Sequence, residues 1–431
     1  RPTTTGRVMD ALGPDLLSHL LDRLLDGDRP EGALDLATFT LAHPPVTRGA
    51  LGQPAAGRLS LAEDAARRAL LRRGLGSNGR REGGGAPPSW CQALFRELSA
   101  APFRRAPRLV RGRVSARWVR MAPGLLRGPE GPCAVLSDST QARLLIVGGG
   151  RRKVLNVEGL GCSAPASHMA VLSATEVAFA DTGDPGSLRL WALLPKQGLG
   201  PAWQPGGERE VRVPGLTKVT ALHPAAGGRL LLVLGEGPRC AHIVDTRTLA
   251  LLPCAEALQT AALVAARGGV VAAVCAGAVR AFECAEGPGG DPVLRPAGEV
   301  AVDEADVSAL EVIPPARTGG RPILCVADHY GTVDLHRVEA GACALLGTLQ
   351  LVPEEAADCA DTSLCAATGG LLVASVYGQG LSVWDVRGMQ RVAHMPEAAH
   401  LAAMASCPAT GAVCGLCTDC GPNEGLYLWG E

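Results

Sequence analysis

Between residue 130 and the C-terminal end the chain repeats one pattern: an apolar run, a turn, then a second run in which apolar and polar residues alternate. The clearest second runs are Gly186-Ser187-Leu188-Arg189-Leu190-Trp191, Gly380-Leu381-Ser382-Val383-Trp384-Asp385 and Gly425-Leu426-Tyr427-Leu428-Trp429. Period-two alternation marks a strand with one buried face, and an aromatic ending that face must pack between sheets. Seven copies can be laid out. Their strands fall at 143–147 and 153–157; 177–180 and 187–191; 219–224, 229–234 and 242–245; 269–274 and 278–282; 307–310, 323–327 and 331–336; 371–375 and 380–385; and 401–405, 413–417 and 425–429. The intervals from Val157 to Trp429 average about 45 residues, the length of a four-stranded repeat.

A mainly β, seven-bladed β-propeller over residues 107–431 is therefore expected, with Trp191, Phe282, Trp384 and Trp429 as blade anchors. The sequence stops two residues after Trp429, which leaves the last blade without an outer strand. An open edge in a circular array is a site for aggregation. The alternating stretch 113–121 is expected to supply the missing strand, which would set its arginines along an exposed edge.

Upstream the period changes. Leu16, Leu17, Leu20, Leu21, Leu24 and Leu25 recur at helical spacing, with Pro14 and Asp15 where a helix N-terminus accepts them. A second apolar segment, 33–41, ends at Pro44-Pro45. Residues 46–106 are expected to hold a Gly/Arg-rich insertion, helical over 59–73 and loose over 74–88, followed by a Trp-containing helix over 89–98.

The repeat region resembles the WD-repeat family, although only Trp384-Asp385 matches the namesake dipeptide and no Gly-His dipeptide opens a repeat. Val244 and His336 stand where two copies would carry the Trp. Residues 1–45 resemble an F-box, with Leu12, Leu16, Leu17, Leu20, Leu21 and Leu24 in its register and Pro14 displaced by one. Ser89-Trp90-Cys91-Gln92-Ala93-Leu94-Phe95-Arg96-Glu97-Leu98 resembles the short helix that often follows an F-box. The alternative is that the leucine helix is one member of a small bundle. The F-box resemblance implies that Leu12, Pro14, Leu16, Leu17, Leu20, Leu21 and Leu24 dock on a Skp-type adaptor of a cullin-type ubiquitin ligase while the propeller holds a target protein. Without it, the expectation is a non-enzymatic propeller scaffold for protein–protein interaction.

Charge and composition refine this picture. Residues 1–129 hold 21 Arg against 11 acidic residues, a balance of +10, and the remainder carries −11, for −1 in all. Such a split can draw the two parts together or sort their partners. The odd number of cysteines, 15, with several inside apolar strand patterns, points to reduced thiols. With no signal peptide or apolar run of transmembrane length in view, the cytoplasm or nucleus is expected.

Other chemistry finds little support. Cys407, Cys414, Cys417 and Cys420 invite zinc, but Cys414 and Cys417 fall on opposite faces of one strand, so no metal is expected. Gly148-Gly149-Gly150-Arg151-Arg152-Lys153 lacks the ending of a phosphate loop and runs into a strand. His168, His223, His242, His329, His336 and His400 show no catalytic or metal-ligand spacing, so neither an enzyme nor a cofactor is expected. The run Arg104, Arg105, Arg108, Arg111, Arg113, Arg117 and Arg120, with Phe103 and Trp118, is a weaker candidate for RNA contact.

Overall fold

In the computed structural model, the structure describes residues 61–73, 90–104, 108–110, 118–128, 131–138, 144–148, 155–156, 166–181, 184, 186–195, 203–236, 241–287, 290–315, 320–339, 341–353, 361–396, 398, 400–407, 412–417 and 425–429. Two compact units divide the chain, 1–105 and 106–431.

The first unit contains two described helices, α1 (Leu61–Arg72) and α2 (Trp90–Ala100). Glu63 and Asp64 sit in the first turn of α1 and Arg72 in its last, the arrangement that favours the helix dipole. Ala65, Ala66, Ala69 and Leu70 are buried, as are Leu94 and Leu98 of α2. The Glu63 carboxylate accepts the Trp90 backbone N–H at 2.5 Å, satisfying one orphan donor at the start of α2. Residues 1–60, with the proposed leucine helix, lie outside the described residues.

The second unit is a β-propeller. Six of its antiparallel sheets have four strands and one has five. In chain order, sheet I spans 118–156, sheet II 166–212, sheet III 218–252, sheet IV 263–301, sheet V 307–350, sheet VI 362–395 and sheet VII 403–429. Each sheet buries both faces, because apolar clusters fill the gaps between neighbours. Leu188, Leu190 and Val211 of sheet II meet Leu222, Leu231 and Val244 of sheet III. Ile323, Cys325 and Leu335 of sheet V meet Leu372, Ala374 and Trp384 of sheet VI. Met121 and Leu136 of sheet I meet Ala405, Cys414 and Leu428 of sheet VII, so the last sheet packs on the first. Strands buried on both faces read as continuous apolar runs, which is the pattern of Val270–Cys275 and, interrupted only by Ser375, of Leu371–Val376.

Two expectations are corrected. The copy expected at 143–157 is not a regular four-stranded blade but part of the five-stranded sheet. There Trp118–Met121 and Leu126–Gly128 both pair with Gly131–Asp138. Pro123 cannot donate to a ladder and Gly124 adopts φ +92°, so the innermost strand breaks into two segments. The five-stranded count follows from that break.

The second correction concerns closure. Sheet VII is completed from upstream, but by Arg108–Val110 rather than 113–121, with Leu109 opposite Tyr427. Trp118–Met121 instead pairs within sheet I. A partner a few residues away costs less loop-closure entropy than one three hundred residues away, so the nearer strand joins the local hairpin. Arg108–Val110 is left to pair with the last sheet.

Removing that strand is expected to open the ring at one joint. A chain beginning at Ala106, which is the second unit with its closing strand, is the reference. A chain beginning at Gly112 should lose about 2–4 kcal/mol, a few ladder hydrogen bonds and their cover. In the shorter chain only, hydrogen exchange should accelerate at those amides of 426–428 that face the removed strand, while those facing Val413–Cys417 change less.

Candidate functional site

The innermost strands of sheets IV to VII run alongside one another in the same direction. The register is visible in their polar contacts. Glu311, fifth residue of Val307–Ile313, accepts the backbone N–H of Ala366, fifth residue of Thr362–Ala367, at 3.0 Å. Arg267, the last residue of Leu263–Arg267, lies 3.7 Å from the Glu311 carboxylate and donates to the Ser406 hydroxyl. Ser406 in turn donates to the Ala366 carbonyl at 2.8 Å. Four sheets are thus tied through one small polar cluster near the end at which the inner strands finish, here the trailing end.

Both charges are largely buried, with side-chain exposures of 19% for Arg267 and 13% for Glu311. Each is compensated: the second Glu311 oxygen accepts the Val312 N–H at 2.8 Å. Cys365 lies beside this cluster. Burial, helped by the Glu311 charge and opposed by Arg267 and Ser406, pushes its thiol up to about 11. Cys325 is likewise pushed well up, by burial first and Glu311 second. Both are protonated and unreactive at neutral pH. The arrangement suits a structural tie, not nucleophilic chemistry.

The opposite, leading end carries the connections between sheets and the turns between second and third strands. In sheet V that turn is built on Asp328. One of its oxygens accepts the N–H groups of Tyr330 and Thr332, at 2.9 and 2.8 Å, and the other accepts the Thr332 hydroxyl at 2.6 Å. Gly331 has φ +76°, and a Cβ there would lie 2.3 Å from a Val352 methyl, so only glycine closes this turn. The corresponding turn of sheet VI is held by the Tyr377 N–H on the Asp361 carbonyl, at 3.0 Å, and by the Gln379 N–H on Val376 at 3.1 Å. Tyr330 and Tyr377 point out of these fixed turns with exposures of 56% and 63%. The Tyr377 ring meets His400, in the connection to sheet VII, edge-on at 5.6 Å.

The sequence-predicted residues fall in several places. Trp191 lies between sheets I and II against Phe179, ring centroids 5.8 Å apart. Phe282 lies between III and IV, and Trp384 between V and VI. Trp429 is buried and stacks on Tyr427 at 6.2 Å. The Trp384 indole N–H donates to Ser382 at 2.9 Å, whereas those of Trp191 and Trp429 are buried with no hydrogen-bond partner among the described residues. At the end of its strand Asp385 accepts the Arg387 N–H, and Asp245 plays the same part in sheet III for Arg247 and Thr248. The recurring Asp after the third strand was the signal available in His242-Ile243-Val244-Asp245.

Leu12, Pro14, Leu16, Leu17, Leu20, Leu21 and Leu24 lie outside the described residues, as do Cys420, Arg105, Arg111, Arg113 and Arg117. Arg108 and Arg120 belong to two different sheets, so the arginine run does not form one strand face. Cys407, Cys414 and Cys417 are buried thiols, and among the described residues no group of three or more His, Cys, Asp or Glu is placed to hold a metal ion. The histidines are dispersed: burial lowers His223 to about 4, and burial outweighs the Asp334 charge in lowering His336. Among the described residues no helix is long and apolar enough to cross a membrane.

No family model matches the chain, and neither does any curated protein. Among solved structures, the chain is similar to the β-propeller domain of Cps50 (Swd1) from Myceliophteria thermophila, at 13% identity and a TM-score of 0.48, over 75% of this chain and 99% of that one. It is also similar to the WD40 β-propeller domain of Doa1, at 13% identity and a TM-score of 0.39, over 59% and 77% of the two chains.

The trailing-end tie predicts a coupled pair. Arg267→Met and Glu311→Gln should each cost about 2–4 kcal/mol in urea unfolding, because each strands a largely buried partner. The double variant should cost clearly less than their sum, by about 1 kcal/mol or more.

Proposed function

We propose that the protein is a non-enzymatic scaffold of the WD-repeat type, a propeller of seven blades whose leading end binds another protein. The blade count takes the five-stranded sheet as a blade with a split inner strand. What supports the binding role is the pair Tyr330 and Tyr377. In a chain with only 3% aromatic residues, these two project from turns fixed by hydrogen bonds instead of packing between sheets. Tyrosine on a rigid turn gives a large amphipathic contact at little entropic cost. A scaffold of this kind acts by raising the effective concentration of what it holds.

Selection of a random peptide library on the full chain tests this reading. Bound peptides should be lost from Tyr330→Ala and Tyr377→Ala, both of which should keep the parent melting temperature. They should be retained by Met389→Ser, which alters an exposed apolar residue at the trailing end. Binding indifferent to both tyrosines would remove the leading end from consideration.

A second reading adds an adaptor-binding function to the first unit. The helical spacing of Leu12, Leu16, Leu17, Leu20, Leu21 and Leu24 around Pro14, followed by a helix at Trp90–Ala100, favours an F-box-like segment. On this reading the chain is the substrate-recognition subunit of a cullin-type ubiquitin ligase in the cytoplasm or nucleus. A Skp-type adaptor would dock on those leucines while the propeller presents the target. Pull-down with such an adaptor should succeed with the parent chain and fail with Leu16→Asp plus Leu20→Asp. An intact interaction in the double variant, or none with the parent, removes the ligase role and leaves the scaffold.

A further inference from the structure

We propose that the leading end of sheets V and VI takes a basic segment of its partner, an extended stretch carrying arginine or lysine. This rests on the leading end being the binding face. Three sets of observations place the chemistry there.

The first is topological. The His329 N–H donates to the Asp306 carbonyl at 3.2 Å and the Tyr377 N–H to the Asp361 carbonyl. Asp306 and Asp361 each immediately precede an innermost strand. Each exposed tyrosine therefore sits on a turn tied to the start of its own sheet's inner strand. Because those strands run in register, the two turns occupy equivalent positions on neighbouring sheets.

The second is charge. Asp303, Glu304 and Asp306 form the exposed connection into sheet V, and Asp361 is exposed at the start of sheet VI. Among the described residues, Glu304, Asp306 and Asp361 enter no ion pair. Arg280, near the leading end of sheet IV, is already engaged by Glu299 at 2.9 Å. The described arginines of sheets V and VI are elsewhere: Arg337 pairs with Glu339, Arg391 lies 6.0 Å over the Trp384 ring, and Arg321 and Arg387 lie in trailing-end turns. Among the described residues, the leading end of these two sheets therefore carries carboxylates that no arginine or lysine neutralises, with His329 and His394 the exposed imidazoles nearby.

The third is the pairing of the two. An ammonium or guanidinium group is attracted to the face of a tyrosine ring, and the attraction adds to that of a carboxylate nearby. Two such rings on successive sheets, with Asp303, Glu304 and Asp306 before one and Asp361 before the other, offer alternating aromatic and anionic contacts to one extended chain. An acidic partner would meet like charge at each step, and a neutral one would use the rings alone.

The test is fluorescence anisotropy of the full-length chain with three labelled short peptides of equal length: one alternating Arg/Lys with small residues, one with those positions as Gln, and one with them as Glu. The basic peptide is expected to bind at least about tenfold more tightly than the other two. Tyr330→Ala and Tyr377→Ala should each weaken it about tenfold. Asp306→Asn combined with Asp361→Asn should weaken it and flatten its salt dependence. Met389→Ser should leave it unchanged. If the Gln peptide binds as well as the basic one and still depends on the tyrosines, the basic partner is wrong while the binding face stands. If basic-peptide binding ignores the tyrosines, or none of the peptides binds, the proposal is overturned.

Discussion

A propeller depends on its joint. Every sheet in this ring buries both faces against its neighbours, so no sheet is stable alone and the ring is only as sound as its last contact. That contact is made twice: by apolar side chains of Met121 and Leu136 against Ala405, Cys414 and Leu428, and by the strand Arg108–Val110 hydrogen-bonded to the third strand of sheet VII. The strand comes from before the first sheet and finishes the last one, so the two ends of the second unit are held together by a backbone ladder. An exposed edge that could recruit another chain is covered at the same time.

The ring also has to keep its sheets at one level. Apolar packing is tolerant of small slips, while hydrogen bonds are not, and the Arg267–Glu311–Ser406 cluster supplies the directional contacts across four sheets. A largely buried ion pair adds little to net stability, but an unmatched one is costly, so the register that satisfies both charges is favoured over its neighbours. This specificity lies at the trailing end. The leading end is consequently free to carry turns whose side chains face outward.

Rigidity at the leading end comes from local chemistry. Asp328 holds its turn through three hydrogen bonds, and Gly331 permits a close approach to Val352 that any other residue would obstruct. A tyrosine projecting from such a turn has its backbone already ordered. Binding then adds no loop-ordering cost to the unavoidable loss of overall motion and of side-chain rotamers, which favours these positions as contacts.

The strand pattern of 166–429 was legible because alternation, turns and terminal aromatics all obey rules that act over a few residues. The helices at 61–72 and 90–100 were legible for the same reason, within two residues at each boundary. What the pattern could not decide was which of two neighbouring basic strands would close the ring, since 108–110 and 118–121 look alike and only competition between a near and a distant partner separates them. The split inner strand of sheet I, the polar tie through Arg267 and the acidic, tyrosine-bearing face were equally beyond it, because each joins residues far apart in sequence. Local order was written in the chain itself; closure, register and the arrangement of the leading end were settled by contacts that exist only once the ring has formed.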